Sequence, residues 1–139
     1  MLCRHCGAET VQRLVTRTLP CAGLLFELRS PVFVCDAHPG LGRVVHDDEQ
    51  LEVARQIWTI LADLPPSGPA LIVLFKPLGL SIDERAAMFG VSRENVREWM
   101  RGNEPVPATV WDRVVELVRA VVAREEQAHR DEIHVRLLP

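Results

Sequence analysis

Apolar and polar positions alternate along the first 34 residues and then change period. Thr10 to Arg17 (TVQRLVTR), Leu24 to Arg29 (LLFELR) and Val32 to Val34 read as short strands, joined through Pro20 to Gly23 and through Ser30-Pro31. From Asp47, Leu51, Ala54, Ile57, Trp58 and Leu61 recur at helical spacing. That predicts an amphipathic helix from Asp47 to about Leu64, with acids in its first turn where the helix dipole favours them. Pro65-Pro-Ser-Gly-Pro69 then reads as a linker. Four helical segments follow. Ala70 to Lys76 is stopped by Pro77 and Gly79. Ser81 to Phe89 has Ser81 and Glu84 in capping-box register and stops at Gly90. Arg93 to Arg101 has Ser92 as N-cap and Gly102 as its stop. The longest runs from about Thr109 to Ala128, with a stripe of Val110, Trp111, Val114, Leu117, Val118, Val121 and Val122. Ile133 to Leu138 reads as a strand or a docking segment.

Length and composition narrow the function. At 139 residues the chain suits one compact domain or two very small ones, and is too short for a dinucleotide-binding dehydrogenase, a TIM barrel or a kinase. Its 47% hydrophobic and 25% charged residues are an ordinary globular balance. The longest apolar run, Ala70 to Phe75, falls far short of the roughly 20 residues that span a bilayer. The first residues lack the basic region and apolar stretch of a signal peptide, so a soluble cytoplasmic protein with no membrane partner is expected. With 16 Lys+Arg against 19 Asp+Glu, no basic nucleic-acid footprint exists at whole-chain level. Any DNA-binding face must arise locally.

The four cysteines all lie in the first quarter. Cys3-Arg-His-Cys6 is a CxxC and Cys35-Asp-Ala-His38 a CxxH, the two-residue gap that lets both ligands of a knuckle reach one zinc ion. The intervening hairpin would bring the knuckles together, and so small a core needs such a staple. Cys3, Cys6, Cys35 and His38 are therefore the candidate ligands of one structural Zn2+ per chain. His5, Cys21 and His46 are alternative fourth ligands, and Cys21 also suits a packed position in the hairpin. A buried reduced cysteine set is the bland alternative. A redox CxxC is disfavoured because no strand precedes and no helix follows this one.

Ser81 to Gly102 carries the spacing of a helix-turn-helix. Ala86 permits close approach of two helices, Gly90 a left-handed turn, and Val91, Val96 and Trp99 plug and anchor the pair. Arg93, Arg97 and Arg101 follow at i, i+4 and i+8 on one face and suit guanine edges or phosphates, while Asn95 suits adenine. Ser92 and Glu94 complete the candidate DNA-binding set. Glu94 and Glu98 interleave with the arginines, so the competing reading is a solvated, salt-bridged helix on a protein-binding domain.

In this order, the zinc-ligand spacing, the acidic helix, Phe89-Gly90-Val91-Ser92 and Trp99-Met-Arg-Gly-Asn103 with Pro105 and Pro107 resemble the MqsA/YgiT-type zinc-finger antitoxins, which join a zinc domain to an Xre/Cro helix-turn-helix. The resemblance implies a homodimeric repressor of its own operon that binds double-stranded operator DNA, and a toxin or other protein as partner of the N-terminal domain. It transfers zinc ligation to Cys3, Cys6 and Cys35, with His38 in place of the usual fourth cysteine. Arg85 departs from the pattern by standing where an aliphatic residue is usually buried. The expected fold is α+β: a zinc-bound β-hairpin domain at 1–46, a connecting helix and linker at 47–69, and an all-α helix-turn-helix domain at 70–139 with a long C-terminal helix. The helix at 109–128 or the apolar one at 70–76 is the expected dimer contact. With no Ser/His/Asp set and no Gly-rich phosphate loop, no enzyme is expected. A protein-binding module that no longer reads DNA is the alternative function.

Overall fold

The computed structural model describes residues 2, 3, 5–37, 47–124 and 133–139. Its elements are β1 (Val11–Cys21), β2 (Leu24–Val34), α1 (Asp47–Ala62), α2 (Gly68–Phe75), a single 3-10 turn (Lys76–Leu78), α3 (Ile82–Phe89), α4 (Arg93–Arg101), α5 (Ala108–Arg124) and β3 (His134–Leu137). The class is α+β. The sheet is antiparallel in the order β1-β2-β3, so the C-terminal strand returns to pair with the N-terminal hairpin. The tail from Ile133 is thus a strand, its partners being Phe26 to Arg29 of β2. The part of the long helix expected beyond Arg124 lies outside the described residues.

The strands are longer than the alternation implied. Ser30-Pro31 does not join two short strands but lies inside β2, opposite Val15 and Leu14, and Pro20 lies inside β1 opposite Leu25. Prolines fit because β1 is an edge strand and β3 covers only Phe26 to Arg29, so each proline sits where its strand has one hydrogen-bonded side. The hairpin turn is just Ala22-Gly23, both with positive φ (55° and 74°), the hallmark of the tight type I′ connection.

One face of the sheet meets the helices. Phe26 and Leu28 of β2 enter a core with Val53, Ile57 and Leu61 of α1, Leu71, Leu74 and Phe75 of α2, Val96 and Trp99 of α4, Val110, Trp111, Val114, Val115 and Val118 of α5, and Ile133. The apolar character of α2 is accounted for within this core, Ile72 alone of its large side chains being exposed. Of the α5 stripe, Leu117, Val121 and Val122 are half-buried, and Val115 joins the buried set. The Pro65 to Pro69 stretch is only half a linker. Ser67 is the N-cap of α2, its Oγ accepting from the Ala70 amide at 3.2 Å, and Gly68 and Pro69 form the first turn.

Gly68 is buried because the backbone of α4 passes directly over it. A Cβ there would clash with the carbonyl oxygen of Trp99, and would lie 2.9 Å from that of Met100 and 3.0 Å from the Gly102 amide nitrogen. All three obstacles are main chain and cannot rotate away. Gly68→Ala is therefore expected to lower stability by about 1–3 kcal/mol, read as a shifted urea midpoint with an unchanged slope. The opposite sign is expected at Ala22, where a side-chain-bearing residue holds a left-handed conformation. Ala22→Asn creates the preferred Asn-Gly turn and should raise stability by about 0.5–1 kcal/mol in the same assay.

Candidate functional site

Among the described residues, two places carry candidate chemistry. The first is built where the N-terminus meets the end of β2. Cys3 opens a tight turn whose backbone is closed by the Cys3 amide on Ala8 O (2.8 Å) and the Gly7 amide on Cys3 O (2.9 Å), with Gly7 at φ 71°. The His5 amide donates to Cys3 Sγ, 3.4 Å away. The Leu2–Glu9 bridge holds the two arms of this turn together. Cys35 follows β2 directly and is buried beside it. The result is a cluster in which the sulfurs of Cys3, Cys6 and Cys35 all lie within 4.8 Å of one another, with Cys6 and Cys35 at 3.6 Å.

That spacing fits a metal. Thiolates about 2.3 Å from a tetrahedral ion sit about 3.8 Å apart. The Ala37 backbone N–H pulls the Cys35 pKa down, but burial and the neighbouring Cys6 and Cys3 thiols outweigh it and leave the Cys35 thiol harder to ionise than an ordinary cysteine. Cys3, Cys6 and Cys35 are thus brought together as their spacing implied. His38 and His46 lie outside the described residues. Cys21 is not in the cluster: it packs against the core, where burial raises its thiol pKa and Lys76 offsets only part of the rise.

The second place is the α3–turn–α4 pair. Ser81 and Glu84 close a reciprocal capping box, Ser81 Oγ accepting from the Glu84 amide (3.1 Å) and Glu84 Oε1 from the Ser81 amide (3.2 Å). Gly90 ends α3 at φ 65°, the Val91 amide donates to Ala86 O, and Ser92 caps α4 through the Asn95 amide at 3.2 Å. Ala86, Val96 and Trp99 are buried between the helices, and the Phe89 and Trp99 rings meet edge-on at 6.2 Å. Arg85 is half-buried on α3. Its guanidinium lies 4.4 Å from the centre of the Phe75 ring, and its Nε donates to Leu80 O at 3.0 Å. Burial lowers its pKa, and the stacked ring and carbonyl compensate part of that cost.

The outer face of α4 carries Ser92, Arg93, Glu94, Asn95 and Arg101 exposed, with Arg97 half-exposed. Its arginines are matched by acids: Arg93 with Asp83 of α3 (3.1 Å), Arg97 with Glu94 (3.7 Å), and Arg101 with Glu94 (3.4 Å) and Glu98 (3.3 Å). Such exposed pairs contribute about 0–1 kcal/mol each and exchange partners readily.

A polar layer between α1 and the sheet is not legible in the alternation. Glu49 is buried and accepts from Arg17 at 2.8 Å, while the same guanidinium donates to buried Ser30 at 3.2 Å. Glu52 is buried as well, accepting two bonds from Arg55 and one from Gln56. The Gln56 amide then behaves as a piece of strand, donating to Ile133 O (2.6 Å) and accepting from the Val135 amide (2.7 Å). The i, i+3 and i, i+4 spacing of Glu52, Arg55 and Gln56 was the available signal.

No family model matches the chain, no curated protein matches it, and no solved structure matches it.

Metal binding at the cysteine cluster is expected to show as one ion per chain on titrating the reduced protein, with thiolate-to-metal charge-transfer absorption when Co2+ is the probe. At free ion a hundredfold above Kd the folded state should gain about 2.7 kcal/mol. Cys35→Ser should remove both the absorption and the stabilisation.

Proposed function

We propose that this chain is a zinc-stabilised, DNA-binding transcriptional regulator, an antitoxin-like autorepressor that works as a homodimer in the cytoplasm. The observation that carries the reading is the solvent-facing α4, capped by Ser92 and braced from behind by α3 through Ala86, Val96 and Trp99. A helix held in that way suits insertion into a major groove by its N-terminal turn. Arg93 and Arg97 are assigned to guanine edges or phosphates, Asn95 to adenine, Glu94 to a cytosine amino group and Arg101 to the backbone, with Ser92 at the phosphate nearest the helix start. Phosphates compete there with Asp83, Glu94 and Glu98 for the same guanidinium groups. In a two-fold dimer the two α4 helices would read half-sites about 34 Å apart.

Zinc is the ion assigned to Cys3, Cys6 and Cys35, with His38 as fourth ligand. Four protein ligands leave no open position, so the ion's role is to hold the N-terminal turn against the end of β2. A toxin or other protein is the partner proposed for that end of the molecule.

The matching of every arginine on α4 with an acid favours a second reading, a protein-binding module that keeps the helix pair as scaffold. Fluorescence anisotropy with duplex from immediately upstream of the gene, against scrambled duplex at two salt concentrations, separates the two. Under the first reading the upstream DNA is preferred by roughly a thousandfold or more and binding weakens steeply with salt. Arg97→Ala then costs about 1–3 kcal/mol of DNA affinity without moving the urea midpoint. Equal, weak binding to both duplexes refutes the DNA reading and leaves the protein-binding one.

A further inference from the structure

The three thiols of the metal cluster are chemically unequal. Cys3 and Cys35 are 4% and 2% exposed, whereas Cys6 is open to solvent. Cys6 and Cys35 are in sulfur–sulfur contact at 3.6 Å; Cys3, whose Sγ receives the His5 amide inside its own turn, is also in side-chain contact with Cys35. A disulfide needs its sulfurs about 2.05 Å apart, so an approach of about 1.5 Å joins Cys6 to Cys35. The turn that carries Cys6 is at the surface, its residues 5–9 all exposed.

We propose that Cys6 and Cys35 form a peroxide-oxidisable pair, Cys6 as the reacting thiol and Cys35 as the resolving one, and that closing the disulfide expels the metal. The proposal rests on the metal reading of the cluster and adds its regulation. The Cys6 thiolate attacks one oxygen of hydrogen peroxide; the O–O bond breaks, hydroxide leaves and Cys6 becomes a sulfenic acid. The Cys35 thiolate then attacks the Cys6 sulfur, the S–O bond breaks, and a second hydroxide leaves as the S–S bond forms. Peroxide takes up the two electrons that the two thiolates lose. Of the cluster among the described residues, Cys3 is then the one remaining thiolate, and a single thiolate cannot replace three in holding the ion. Oxidation thereby exchanges a metal staple between the N-terminal turn and the end of β2 for a covalent one.

Cys21 provides an internal control, being half-buried against the core and outside the cluster. The test treats the reduced, zinc-loaded full chain with hydrogen peroxide. Released zinc is followed with a chromogenic chelator, and disulfides are mapped by peptide mass spectrometry after alkylation of the remaining thiols. The expected result is one zinc released per chain together with one Cys6–Cys35 disulfide, both reversed by dithiothreitol and added zinc. Cys6 should be lost to alkylation at least about tenfold faster than Cys21, and Cys21→Ser should leave the zinc-release rate unchanged. Retention of zinc with Cys6 still reduced, a Cys3–Cys6 or Cys3–Cys35 disulfide, or a sulfinic acid on Cys6 beside a free Cys35 each overturns the proposal. A chain that takes up no zinc before peroxide is added refutes the metal reading instead, and mapping of that same sample still decides whether Cys6 pairs with Cys35.

Discussion

Phe26 and Leu28 are the side chains through which the sheet and the helices come to share one interior. Both project from β2 into the core shared with the helices and are buried, each worth about 1.5–3 kcal/mol of transfer free energy. β2 is also the strand with a neighbour on either side, β1 along its whole length and β3 along four residues. Its chain then delivers Cys35 to the cysteine cluster at its end. Loosening β2 from this core would therefore disturb the helices, the docking of β3 and the approach of Cys35 to Cys3 and Cys6 together.

The polar layer above that strand has a different role. Buried carboxylates cost free energy unless they are fully hydrogen-bonded, and Glu52 is compensated by the guanidinium of Arg55 and the amide of Gln56. In satisfying Glu52, Gln56 is also turned so that its amide completes the hydrogen bonding of Ile133 and Val135. One helical turn of α1 thus closes off an edge of β3 that would otherwise present unpaired main chain. Glu49 and Arg17 do similar work between α1 and β1. Glu49, in the first turn of α1, is thereby a specific contact to the sheet.

On α4 the balance between opposing charges is local and nearly even. Within two helical turns Arg93, Arg97 and Arg101 meet Asp83, Glu94 and Glu98, so the face carries little net charge while keeping three guanidinium forks at the surface. Such a face has weak long-range attraction for a polyanion, and any preference it has must come from short-range geometry. The cysteine cluster is the reverse case, with three like groups brought together at a spacing that a metal ion fits.

The features legible in the sequence are those whose cause lies within four residues. Ser81 with Glu84, Ser92 with Asn95, and the glycines at 90 and 102 set the ends of α3 and α4 because capping is an i to i+3 interaction and a left-handed residue is a local cost. The CxxC places Cys3 and Cys6 on one turn for the same reason, and periodicity marks the buried faces of α1, α4 and α5. Tertiary structure decided what depends on a partner far along the chain. Pro31 lies within a strand because β3 leaves that stretch of β2 unpaired on one side. Gly68 is required because the α4 backbone lies over it. Arg85 is at home at a half-buried position because Phe75 offers a ring face. Gln56 closes the edge of a strand 77 residues away. None of these has a signature in its own neighbourhood, because the group that stabilises it is brought there only when the core closes.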